Sequence, residues 1–147
     1  SALFTQGFSW ADGASGTRWL IKLYWDLLGT IRTPWLLGVV TLALYGAAAY
    51  NSVFQRAACL SPSLWVAPGK VMELIAKARI RPDTTIYMDY GENEMANHVA
   101  SQAVIPSAVY LLLTKGVNLA FRIVPGGNHS EASWEKQIPI FMECLGL

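Results

Sequence analysis

Charged side chains are scarce in this chain of 147 residues. Lysine, arginine, aspartate and glutamate together make up 14% of the sequence, and the formal net charge is +1. Because no run of basic residues stands out, the chain lacks the electrostatic footprint of a nucleic-acid-binding protein, and we expect no such partner. The hydrophobic share of 53% indicates a buried sheet, a membrane contact or a surface covered by a partner. The length fits one domain over 1–147.

Cysteine is equally rare. The two cysteines, Cys59 and Cys144, are too few and too far apart for a disulfide scaffold or a metal site. Both stand in apolar surroundings, Ala-Ala-Cys-Leu and Met-Glu-Cys-Leu, which are typical of core positions. The sequence therefore predicts no metal.

Segments long enough to cross a membrane are missing as well. The charge-free run WLLGVVTLALYGAAAY, from Trp35 to Tyr50, is shorter than the roughly 20 residues of a spanning helix. We expect it to be a buried helix or strand–helix unit; an exposed surface at 35–50 would instead bring copies of the chain together as a homo-oligomer. The first residues lack the basic start and apolar centre of a secretory signal, which favours a cytoplasmic protein.

What the chain does contain is a regular alternation of strand and helix patterns. The expected strands are Trp35–Val40, Arg56–Ser61, Thr84–Met88 and Asn118–Val124. The expected helices are Trp19–Leu28, Thr41–Tyr50, Lys70–Ala78, Val99–Thr114 (with a kink or break at Pro106) and Ser133–Leu145. This order predicts an α/β protein with a mostly parallel, doubly wound sheet.

Function in such a sheet collects in the loops that follow the carboxyl ends of the strands. Three loops qualify: Ser61–Ser63, the acidic loop Asp89–Asn97, and Pro125–Ser133, which carries a histidine on a Gly-Gly turn. Because an imidazole can exchange a proton near neutral pH, that histidine, His129, is a candidate general base. The alternative is that His129 lies in a surface turn and has no catalytic role.

Three acidic residues could orient the imidazole. Asp89, Glu92 and Glu94 follow one strand and His129 follows the next, which is the order of acid and base in α/β-hydrolase triads. The alternative is that these acids are solvated loop charges, or residues placed at a helix N-terminus by the helix dipole.

Four stretches in the second half of the chain agree in order with one known family: RAACLSPSLW, TTIYMDYGENE, YLLLTKGVNLAFRIVPGGNHSEASW and the closing helix. Together they resemble the esterase family of the α/β-hydrolases that includes the esterase D type, the feruloyl esterases and the enterochelin-esterase-like proteins. The resemblance covers about residues 45–147 and leaves 1–44 divergent or rearranged. It implies one α/β-hydrolase-like domain, shortened at the N-terminus. It also implies a serine esterase that cleaves a small carboxylic ester through an acyl-enzyme, without metal or organic cofactor.

The resemblance also assigns roles to single residues. In that family an Asp-x-Gly-x-x-acid pattern after a strand provides the triad carboxylate; its terminal acid falls on Glu94, with Asp89 as second choice. The Gly-Gly-x-His turn provides the base, which falls on His129.

The triad serine is the element that departs from the family pattern. Counting back from the helix that contains Leu44–Ala47 puts the Gly-x-Ser-x-Gly-Gly elbow on Trp35–Val40, with Leu37 at the nucleophile position. Leucine and valine offer neither a nucleophile nor the space for a tight strand-to-helix turn. The near match Gly7–Ala11 makes Ser9 the remaining candidate, without the expected strand–turn–helix context. We therefore expect impaired hydrolysis; the alternative is a catalytically inactive, esterase-like binding or scaffold domain.

Overall fold

A computed structural model describes residues 39–147 of the chain. Its elements, in order, are helix α1 (Val39–Ala49), strand β1 (Arg56–Leu60), a 3-10 helix (Leu64–Val66), α2 (Pro68–Lys77), β2 (Thr85–Gly91), α3 (Glu92–Asn97), α4 (Val99–Thr114), β3 (Asn118–Val124), α5 (Glu131–Glu135) and α6 (Ile138–Leu145). The predicted helix Trp19–Leu28, most of the predicted strand Trp35–Val40, and Ser9 lie outside the described residues.

The three strands form one parallel sheet in the order β1-β2-β3. Cys59 pairs with Met88, and Met88 pairs with Phe121, so the carboxyl ends of neighbouring strands lie at the same edge. Helices connect each strand to the next, as parallel strands require. The α/β class and the parallel arrangement predicted from the sequence are confirmed for this part of the chain.

Helices pack against both faces of the sheet. Successive side chains of a strand point to opposite faces, so β2 separates its residues into two sets. One set packs with residues of α1, α2 and α4 in the main hydrophobic core: Ile86, Met88 and Tyr90. On the other face, the ring of Tyr87 contacts the ring of Phe141 in α6, with centroids 6.1 Å apart. The middle strand is thereby almost wholly buried.

Helix α1 starts earlier than the sequence indicated. Val39 and Val40 form its first turn, so the prediction that a strand extends to Val40 is wrong there. An apolar run of this length fits a buried strand and a buried helix equally well by periodicity alone. In the structure Leu44, Ala47 and Ala48 of this run are buried.

Strand β2 runs three residues further than predicted, to Gly91. The expected acidic loop Asp89–Asn97 is therefore wrong: Asp89 lies inside the strand, and Glu92–Asn97 form the short helix α3. The sequence misleads here because an aspartate is unusual in a buried strand. Asp89 is tolerated because the Tyr87 hydroxyl, 2.7 Å away, donates a hydrogen bond to its Oδ2.

Proline acts differently in the two C-terminal helical regions. The sequence predicted a kink or break at Pro106; the structure rules out the break, since Pro106 lies inside the continuous helix α4. The predicted final helix Ser133–Leu145 is instead two helices, α5 and α6, and Pro139 occupies the first turn of the second. Proline is accepted at that position because the first amides of a helix have no helical partner.

Apolar side chains also remain at the surface of the described region. The most exposed are Val99, Tyr110 and Leu113 of α4, Val53 and the terminal Leu147, together with Phe121 and Ile123 of β3. Helix α4 carries no charged residue. None of the helices within residues 39–147 is both long and apolar enough to cross a membrane.

Candidate active site

The acidic segment and the histidine turn meet at the carboxyl edge of the sheet. Gly91, the last residue of β2, pairs with Val124, the last residue of β3. Helix α3 begins directly after Gly91 and places Glu94 in its first turn. After β3 the chain reverses at Gly126, whose φ of +64° is a left-handed conformation that glycine adopts without strain. Helix α3 and the histidine turn therefore leave the sheet side by side.

The structure brings Glu94 and His129 into direct contact. Glu94 Oε1 lies 2.9 Å from Nδ1 of the imidazole. The Glu94 side chain is only 9% exposed, while that of His129 is 48% exposed. The second carboxylate oxygen, Oε2, accepts a hydrogen bond of 3.3 Å from the amide of Gly91, the residue that precedes the first turn of α3. The carboxylate is thus held by its own helix and presented to the imidazole.

Hydrogen bonds donated by backbone amides join helix α3 to the histidine turn. The Asn93 amide donates to the Gly127 carbonyl at 3.0 Å, and the Gly126 amide donates to Glu92 Oε2 at 2.8 Å. The Asn128 amide, next to the histidine, donates to Ser133 Oγ at 3.0 Å. Glu92 therefore binds the backbone of the histidine turn in this structure, whereas the sequence analysis included it among the acids that could orient the imidazole.

Gly91 and Gly127 are in van der Waals contact, and neither has room for a side chain. A Cβ atom at Gly91 would lie 2.4 Å from the carbonyl carbon and oxygen of Gly127. A Cβ at Gly127 would lie 2.9 Å from the Gly91 Cα. Since backbone atoms are what it would meet, the loops can approach this closely only with glycine at both positions.

Trp134 provides the second contact of the imidazole. Its ring meets that of His129 edge to face, with centroids 5.0 Å apart and planes at 82°. Its indole Nε1–H donates a 3.0 Å hydrogen bond to Ser61 Oγ. The sequence placed Ser61 in one of the three candidate loops but did not indicate its contact with Trp134, because no local pattern links positions that far apart.

Asp89, the second-choice acid, points elsewhere. It is 1% exposed and accepts its hydrogen bond from Tyr87, while the imidazole contacts Glu94. Burial raises the pKa of Asp89, an effect that the Tyr87 hydroxyl and the charge of Arg122 oppose. Burial, followed by the hydrogen bond to Asp89, likewise raises the pKa of Tyr87.

The two cysteines occupy different environments. Cys59 is completely buried in β1, and burial raises its pKa to about 12, with a smaller effect from the charge of Asp89. A thiol with that pKa stays protonated and is a poor nucleophile. Cys144 is half-buried in α6, and both cysteines are free thiols.

The arrangement is that of an oriented base. A carboxylate on Nδ1 fixes the imidazole tautomer and leaves Nε2 as the nitrogen that can take a proton from a nucleophile. The predicted nucleophile positions, Ser9 and Leu37, lie outside the described residues. In the part of the chain that the structure describes, no group of three His, Cys, Asp or Glu side chains could hold a metal ion.

Comparisons of this chain with protein-family models, with curated proteins and with solved structures found no match.

Proposed function

We propose that this chain is a carboxylic ester hydrolase of the serine type, in which Glu94 and His129 are the acid and base of a catalytic triad. The observation that carries the proposal is the contact between Glu94 Oε1 and His129 Nδ1 at 2.9 Å, with the carboxylate shielded and the imidazole half exposed. The position of this pair at the carboxyl edge of a parallel sheet supports it, because ligands of α/β proteins bind there.

The proposal also includes the type of fold. The sheet β1-β2-β3, with helices on both faces, fits the C-terminal part of a doubly wound, α/β-hydrolase-like sheet. In that fold the triad acid follows one strand and the histidine follows the next, as Glu94 follows β2 and His129 follows β3 here.

The mechanism is acyl transfer in two halves. The hydroxyl oxygen of the nucleophilic serine attacks the ester carbonyl while His129 Nε2 takes its proton. The tetrahedral intermediate collapses, the C–O bond to the alcohol breaks, and His129 returns the proton to the leaving oxygen. Water repeats the sequence on the acyl-enzyme and releases the acid. Glu94 holds Nδ1–H and stabilises the imidazolium that forms in both halves.

Hydrolysis of p-nitrophenyl acetate and butyrate tests the proposal. We expect His129→Ala and Glu94→Gln each to lower kcat by about a hundredfold or more, because general base catalysis contributes roughly that much. His98→Ala and Glu131→Gln are the matched controls: His98 caps α4, Glu131 is exposed at the start of α5, and neither touches the pair.

A fluorophosphonate that labels activated serines identifies the nucleophile. Labelling that is lost in Ser9→Ala would assign that residue. No turnover and no labelling of the intact chain would refute the enzyme proposal.

The second candidate is a catalytically inactive, esterase-like binding or scaffold domain. The observation that favours it is the sequence WLLGVV at Trp35–Val40, with Leu37 where the family places its serine. Under this alternative the acid–base pair is intact but the chain neither hydrolyses ester nor takes the label. Whether its copies associate through the apolar run 35–50 remains a prediction for a sedimentation measurement.

A further inference from the structure

Trp134 stands between the imidazole of the candidate site and the end of strand β1. One part of the indole contacts His129 edge to face, and its Nε1–H donates to Ser61 Oγ at 3.0 Å. An imidazole that is held only through Nδ1 can still turn about that hydrogen bond. The indole removes this freedom, because an edge-to-face contact favours one relative orientation of the two rings.

Ser61 has the geometry of a residue that is held in place from both sides. It is 2% exposed, and its amide donates to the Asp89 carbonyl at 2.8 Å, which extends the pairing of β1 with β2 by one residue. Its φ is +46°, and among the described residues it is the one non-glycine residue with a positive φ. Such conformations are disfavoured for L-residues and are retained where the surroundings demand them.

We propose that Ser61 is a positioning residue, which acts through Trp134 to fix the plane of the His129 imidazole. Its backbone is bonded to β2, the strand that leads into Glu94, and its side chain holds Trp134, which contacts His129. Ser61 thus links the segment that carries the acid to the segment that carries the base. The catalytic consequence rests on the proposed function, but the positioning itself does not.

The neighbouring serine provides an internal comparison. Ser63 lies two residues further along the same turn and is half-buried, and its side chain makes no capping hydrogen bond to the 3-10 helix that it precedes. Its backbone φ of −75° is ordinary. A generic turn role for the Ser-Pro-Ser segment would give both hydroxyls equal importance, whereas the positioning role belongs to Ser61 alone.

The test uses the full chain and follows the Trp134 indole and the His129 imidazole by NMR. Ser61→Ala and Ser61→Gly both remove the hydroxyl, and the glycine variant also relieves the left-handed backbone, so it folds even if the alanine variant does not. In both we expect the Trp134 indole proton to exchange with solvent about tenfold faster or more. The His129 ring-proton shifts and their pH titration should also move. Trp134→Phe assigns the indole signal and should reproduce the change at His129.

Control and combination variants make the result specific. Ser63→Ala should leave the indole exchange and the His129 titration unchanged. The double variant Ser61→Gly/Trp134→Phe should move the His129 titration no further than either single variant, because both changes interrupt one path. An unchanged His129 signal in folded Ser61→Gly, or equal effects of the Ser63 and Ser61 variants, would overturn the proposal.

Ester hydrolysis separates the failure of this inference from the failure of the proposed function. In an active enzyme we expect Ser61→Gly to lower kcat about tenfold with KM nearly unchanged, because a slightly misplaced base slows the chemical step. If the chain is inactive but the NMR changes occur, the positioning role stands and the hydrolase proposal falls. If the chain is active and Ser61→Gly changes neither kcat nor the NMR signals, the reverse holds. Fluorophosphonate labelling at Ser61 itself would make it the nucleophile and also overturn the positioning role.

Discussion

At the scale of single residues, the two partners of the Glu94–His129 contact differ in their exposure to solvent. The carboxylate is 9% exposed and the imidazole 48%, so water screens one partner far less than the other. An ion pair with both partners exposed contributes little to stability. Here the carboxylate is also held by the Gly91 amide, so it is already oriented when the imidazole charges. The contact is therefore better suited to orienting a base than to stabilising the fold.

The backbone contact between Gly91 and Gly127 predicts the effect of adding a single methyl group at Gly91. Gly91→Ala puts a Cβ 2.4 Å from the Gly127 carbonyl, so one loop must move. We expect a loss of about 1–3 kcal/mol in the free energy of unfolding, the usual cost of overpacking. Urea denaturation measures it, and the NMR contact between Glu94 and His129 should weaken in the same variant.

Gly69→Ala is the matched control for this substitution. A Cβ at Gly69, in the first turn of α2, meets nothing within 4 Å. Alanine there should stabilise the protein by about 0.5–1 kcal/mol because it restricts the unfolded chain. Equal destabilisation by both substitutions would show that the loop contact is not the cause.

At the scale of elements, the two prolines of α4 and α6 differ in their cost. Pro106 interrupts the hydrogen bonding of a 16-residue helix, whereas Pro139 lies in the first turn of its helix. We predict that Pro106→Ala raises the free energy of unfolding by about 1–3 kcal/mol, since an interior proline costs up to about 3 kcal/mol. Thermal and urea unfolding of the two variants provide the measurement.

Pro139→Ala is the comparison variant and should change stability by less than about 0.5 kcal/mol, because its missing amide has no helical partner to lose. A similar gain in both variants would mean that the effect comes from the unfolded chain. A loss in Pro106→Ala would mean that the proline ring itself is needed for packing.

Sequence patterns predict some of these elements well and others poorly, for physical reasons. Strand β3, Asn118–Val124, has the predicted ends because Phe121, Ile123 and Val124 favour a strand and turn residues bound it. Strand β2 was predicted too short because Asp89 is polar, and the Tyr87 hydroxyl that satisfies it belongs to the tertiary structure. The final helix was predicted as one because its apolar spacing continues across the turn at Lys136 and Gln137.

The same division applies to the candidate site. Glu94 and His129 were predicted together because each follows a strand, and the ends of neighbouring parallel strands are adjacent. The link from Ser61 to Trp134 joins residues 73 positions apart and depends on a left-handed serine, neither of which local propensity encodes. The sequence thus predicted the residues whose location follows from the end of a strand, but it did not predict contacts that depend on side-chain packing.

At the scale of the whole molecule, buried Asp89 makes the stability depend on pH. Burial raises its pKa in the folded state above the ordinary value of 3.8, so the folded chain binds this proton more tightly than the unfolded chain. Its contribution to stability is therefore complete below the ordinary pKa and is lost as the pH rises through the raised value. We predict that Asp89→Asn, which can still accept from Tyr87, is more stable than the parent chain at neutral pH and that this advantage disappears in acid.

Urea unfolding across a pH series checks this sign, with Asp83→Asn as the control. The side chain of Arg81 donates a hydrogen bond that lowers the pKa of exposed Asp83, so its contribution has the opposite sign and fades as the pH falls. Parallel stability profiles of the parent chain and Asp89→Asn would contradict the assignment of the buried carboxylate.

The contact between Gly91 and Gly127 has a consequence for recognising this arrangement in other sequences. Acidic residues and histidines occur in most proteins, so the pair Glu94 and His129 alone identifies little. The two glycines are a more specific signature, since a Cβ at either position would overlap with backbone atoms of the other segment and prevent this close approach. A search that requires glycine at both positions, at the ends of successive strand patterns, would select for this geometry, while a search for acid and base alone would not.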